Sequence, residues 1–66
     1  MELTGIRNDE HLAEVLALAV EWEVNGLNPA QVVRNLVDDY TIPLETARIV
    51  QRTAHQFLRE QADIRE

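Results

Sequence analysis

GLNPAQVVRNLVDDYTIP, residues 26–43, contains one complete helix with its own start and stop signals. Asn28 is a strong N-cap, because its short side chain reaches the unpaired amides of a first helical turn. Pro29 suits the first helical position, where its fixed φ helps and its missing N–H removes no bond. Gln31 stands three residues after the cap, placed to accept the cap's own amide in a capping box, and Leu27 and Val32 flank the cap as a hydrophobic staple. Val32, Val33, Leu36, Val37 and Tyr40 then fall on one helical face, with Gln31, Arg34, Asn35 and Asp38 opposite. Pro43 cannot continue this helix. The spacing predicts a helix over 29–40.

The same punctuation extends in both directions. Gly26 suits the left-handed residue that closes a preceding helix. Asn8 caps that helix, and Asp9 and Glu10 place carboxylates in its first turn, where they complement the helix dipole. A helix over 9–25 follows. Downstream, Pro43 opens a third helix that runs to about residue 62. Leu44, Ala47, Val50, Ala54, Phe57, Leu58 and Ala62 cluster on one side of it at roughly 100° per residue. Residues 1–8 read as a loose N-terminal segment. No stretch alternates as a strand would. The expectation is an all-α fold, a single three-helix domain over residues 1–66, whose second and third helices form a helix-turn-helix-like pair.

Sixty-six residues bury a thin core, about 60% of the surface the unfolded chain exposes. With no cysteine, neither a disulfide nor a thiolate metal site supplements it, and two histidines do not make a structural zinc site. Oligomerisation is a common remedy for such small domains, so a homodimer is expected. Helix 9–25 points the same way. Leu12, Val15, Leu16, Ala17, Leu18, Ala19, Val20, Trp22 and Val24 cover much of its circumference, and only Glu10, Glu14, Glu21 and Asn25 form a polar strip. Two neighbours can cover only about half of such a helix. Val15, Leu18 and Trp22, at i, i+3 and i+7, are therefore the candidate interface ridge. The competing reading makes Trp22 a core residue.

Catalytic chemistry finds no constellation here. There is no serine and no cysteine, and the four threonines have no evident base beside them. No glycine-rich phosphate loop is present. No metal, cofactor or enzymatic activity is expected. The most apolar stretch, residues 12–24, carries three glutamates and is too short to span a bilayer. The first residues lack the basic and apolar regions of a signal peptide, so a cytoplasmic location is expected.

One segment carries a functional signal. Leu36, Val37 and Tyr40, then Ile42, then Ala47 and Val50 occupy the apolar positions that lock two helices across a tight turn. The run from Tyr40 to Arg48 resembles the turn and early recognition helix of helix-turn-helix regulators. It departs from that pattern at Thr41, where glycine is usual, and at Val37, where a smaller residue is usual. The resemblance implies that the third helix reads DNA. Arg48, Arg52, His55 and Arg59 would follow a phosphate backbone, while Thr46 and Gln51 would face the groove. The alternative for that stripe is a solvated basic face. A net charge of −6 opposes nucleic-acid binding and suits a basic protein partner. Two functions remain: a non-enzymatic, dimeric protein-interaction or regulatory module, which the charge favours, and a helix-turn-helix transcriptional regulator.

Overall fold

A computed structural model describes residues 4–64. Three helices follow one another in it: α1 (Asp9–Val24), α2 (Pro29–Tyr40) and α3 (Leu44–Ile64). No strand occurs among the described residues. α1 and α2 both pack on α3 and more lightly on each other, so α3 is the spine of an all-α three-helix domain.

Each helix begins and ends for a local reason. At α1 the Asn8 carboxamide oxygen accepts the His11 amide at 2.8 Å. In return His11 Nδ1 accepts the Arg7 amide at 3.2 Å, which fixes the entry of the chain. α1 closes through Gly26, at φ +100°, with the Gly26 amide on the Glu23 carbonyl and the Leu27 amide on the Trp22 carbonyl, both at 3.0 Å. This is the Schellman arrangement, which uses the last free carbonyls of a helix. α2 opens with the full capping box: Gln31 N–H to Asn28 Oδ1 at 2.9 Å, and Asn28 N–H to Gln31 Oε1 at 3.1 Å. α3 starts one residue later than Pro43. The Pro43 carbonyl accepts the Ala47 amide at 2.8 Å, so the proline caps the helix rather than joining its first turn.

The turn between α2 and α3 holds the one non-glycine residue with positive φ among the described residues, Thr41 at φ 57° and ψ 36°. The left-handed conformation usually supplied by glycine is thus present without glycine. It persists because the next residue is anchored: Ile42 is 2% exposed and its amide donates to the Leu36 carbonyl at 3.1 Å. Left-handed backbone costs a β-carbon residue about 1–2 kcal/mol, and glycine loses back about 0.5–1 kcal/mol in chain entropy. Thr41→Gly should therefore raise stability by about 1 kcal/mol or less. Urea unfolding would show this as a higher midpoint at unchanged slope.

The core is Val15 and Ala19 of α1, Val32 and Leu36 of α2, Ile42 of the turn, and Ala47, Val50 and Ala54 of α3. Three of these eight are alanines, which lets α1 and α2 come close to α3. Val37 does not prevent that approach; it lies half-buried against the core, and Ala47 is fully buried within it.

Residues 4–8, expected as a loose segment, make contacts with the fold. The Thr46 hydroxyl donates to the Thr4 carbonyl at 2.7 Å, Ile6 packs against the core, and Gly5 lies against the ring of Pro43. The segment forms a strap over the start of α3. Met1 to Leu3 lie outside the described residues.

Candidate interaction surface

The sequence-predicted ridge does not exist as a surface. Val15 is 1% exposed and sits in the core between the helices. Trp22 is half-buried against the core, its ring 5.9 Å from that of Tyr40 and tilted 56° to it, so it ties α1 to the end of α2. Leu18 alone among the three reaches an accessible apolar region. The ridge was misplaced because α1 is apolar almost all round, so its sequence does not mark which row faces inward.

The apolar excess of α1 appears instead on the opposite side. Ala13, Ala17 and Val20 follow one another at i, i+4 and i+7, and Val24, one turn further, is 67% exposed. Such 4-3-4 spacing keeps one row on one side of a helix. Ala13, Ala17 and Val20 form one wall of an open groove, with Leu16 and Leu18 at its flanks. α3 supplies the other wall: Ala54 at the buried base, Thr53, and Phe57, which is 48% exposed. The charged residues lining it are Glu14 and Glu21, both exposed, and Glu10 continues their row.

The candidate basic face of α3 divides in two. Arg48, Arg52 and Arg59 are exposed, and none forms an ion pair with another described residue. Thr46 is 3% exposed beneath the strap and cannot face a ligand. That position lies one turn before the buried Val50, so its polarity concealed an inward-facing site. Gln51 and His55 are also engaged. Gln51 Nε2 donates to Glu23 Oε2 at 3.4 Å, and His55 Nδ1 lies 3.2 Å from Glu23 Oε1. Glu23 has a side chain only 9% exposed and links α1 to α3. Sequence reading missed it, although Glu23 lies four residues after Ala19 and seven after Leu16, in the inward row of α1.

No protein-family model, curated protein or solved structure matches the chain. The surface chemistry therefore stands on its own. Among the described residues, no three His, Cys, Asp or Glu side chains are grouped to share a metal ion. No helix there is long and apolar enough to cross a membrane. Among the described residues no buried side-chain nitrogen or oxygen is left without a hydrogen bond.

Proposed function

We propose that this domain is a non-enzymatic protein-interaction module whose working surface is the α1–α3 groove. The observation that carries the reading is the groove itself. Ala13, Ala17, Val20 and Phe57 form a continuous apolar surface on a domain that has little apolar material to spare from its core. Its open shape and apolar walls suit a helix laid along it, as in helix-in-groove recognition. The expected dimer ridge of Val15, Leu18 and Trp22 loses its first member, because Val15 is buried within the chain.

A photo-crosslinking residue at Ala17, with the same residue at exposed Asp39 on α2 as reference, tests this in the cells of origin. Adducts with a discrete protein partner are expected from position 17 and not from position 39. Equal adducts from both positions, or none from position 17, would contradict the reading.

One observation favours a second reading, DNA binding through α3. Thr41 adopts the left-handed turn of the helix-turn-helix pattern, and Arg48, Arg52 and Arg59 follow along α3 as exposed side chains. The loss of Thr46, Gln51 and His55 to internal contacts leaves that reading with phosphate contacts and few base contacts. It requires duplex binding at low salt with a log-log salt slope of about two to three, and Arg52→Ala should lower that slope by about one. The interaction-module reading expects no duplex binding at about 20 mM salt, where surface charges are least screened. A titration of labelled duplex at two salt concentrations separates the two.

A further inference from the structure

We infer that the occupant of the groove is an amphipathic helix with lysine or arginine along one flank, and not a second copy of this chain. The inference rests on the reading of the groove as an interaction surface and adds the chemistry of what fills it.

Charge decides between the occupants. Among the described residues the groove lining contains two glutamates, Glu14 and Glu21, and no basic residue. A two-fold contact uses the same patch on both partners. Two copies of this face would bring four carboxylates into one interface, with no cation from the lining to pair with them. Like charges brought together in this way oppose association. The arginines of α3 do not repair this, and Arg7, before α1, lies outside the lining. Arg48, Arg52 and Arg59 lie at least about 100° round α3 from Thr53, on another face. A second copy could offer them to the glutamates only from a different face, a head-to-tail contact that gives rings or open chains and not a two-fold dimer.

A different helix meets every feature of the site. Ala13 and Ala17 are small and exposed, so a second helix axis can approach α1 closely. Phe57 and Val20 offer apolar contact to the large side chains of its buried face. The Glu10, Glu14 and Glu21 row runs along one edge only, so basic residues are required on one flank of the ligand. The row thereby also sets the direction in which the ligand helix lies.

The test uses labelled peptides and the full chain in fluorescence anisotropy. The probe is an idealised Leu/Lys amphipathic helix, and its Leu/Glu isostere is the comparison. The Leu/Lys helix should bind at least about tenfold more tightly than the Leu/Glu helix. Glu14→Gln with Glu21→Gln should weaken it by about threefold to tenfold, the effect of two exposed ion pairs. Asp38→Asn with Asp39→Asn removes the same charge from α2 and should change binding by less than about twofold. Ala17→Arg, on an exposed helical position, should abolish binding while leaving the helical circular dichroism intact. Equal weakening by the α2 pair would reduce the effect to bulk charge and overturn the inference. Equal binding of the Leu/Glu helix would overturn the ligand's chemistry while leaving the groove reading to the crosslink at Ala17. An Ala17 adduct with the mass of two chains, together with a dimer in sedimentation equilibrium, would assign the groove to a second copy.

Discussion

Leu36→Ala should unfold this domain at room temperature. Leu36 is fully buried and, with its isomer Ile42, is one of the two largest fully buried side chains among the described residues. Its carbonyl also accepts the Ile42 amide, so it lies at the point where α2, the turn and α3 meet. Removing a buried leucine side chain costs about 2–5 kcal/mol, the upper end where neighbours cannot collapse into the space. Collapse is hindered here, because Ile42, Val32 and Val50 are each fixed on a different element. A domain of this size rarely holds more than about 3–5 kcal/mol in its core. The expected result is loss of most helical circular dichroism. Leu44→Ala is the internal reference: Leu44 is half exposed, so the same chemical change should cost well under 1 kcal/mol. Similar losses from both variants would mean that the core lies elsewhere.

Gly5→Ala should give the next largest effect, through the backbone rather than the core. Gly5 has φ +86°, and a β-carbon there would lie 2.5 Å from the Pro43 ring carbon Cδ. The ring is held by the turn and cannot swing aside as a flexible side chain would. Left-handed strain at a residue other than glycine costs about 1–3 kcal/mol. The chain can limit that loss by releasing the strap, which frees the Thr46 hydroxyl from the Thr4 carbonyl and uncovers Ile6. Urea unfolding should show a lower midpoint, and amide exchange should rise at residues 46 and 47 before it rises in α2. Gly26→Ala provides the contrast, because Gly26 also has positive φ but nothing lies within 4 Å of a β-carbon there. It should show the strain alone. If Gly5→Ala and Gly26→Ala cost the same, the strap contributes nothing beyond its backbone angle.

Local signals were legible in the sequence and long-range ones were not. The Asn28–Gln31 capping box, the Gly26 stop and the Pro43 break each act within a few residues, so each marks its helix end wherever the rest of the chain lies. Thr41 shows the limit of local reading. Its left-handed backbone is imposed by the burial of Ile42 and the bond to Leu36, not chosen by threonine. The position of α1 was illegible because apolar residues on most of a helix leave its inward row unmarked. Val15 and Leu18 looked equivalent, yet one is core and the other lies beside the groove. In the sequence Thr46, Gln51 and His55 have the pattern of outward polar groups. Their partners, Thr4 and Glu23, lie 28 to 42 residues away, and nothing local announces them. The one available warning was positional: Thr46 and Glu23 both stand in rows whose other members are apolar.

The basic stripe and the groove thus make opposite demands on one domain. Arg48, Arg52 and Arg59 call for an anionic partner on one face of α3, while Glu14 and Glu21 call for a cationic one between α1 and α3. The apolar content of the second surface is the ground for proposing the groove rather than the stripe. Exposed arginines are normal on a soluble helix, and isolated surface charges contribute little. A continuous apolar face suits a partner that covers it.

The most direct measurement is a backbone amide shift map of the isotope-labelled chain titrated with the Leu/Lys amphipathic helix. The expected result is a continuous patch of shifted amides at Ala13, Ala17 and Val20 on α1 and Thr53 and Phe57 on α3, with Arg48 and Arg52 unmoved. Shifts spread over every acidic surface, or confined to the Arg48–Arg59 face, would contradict the assignment of the groove as the working surface.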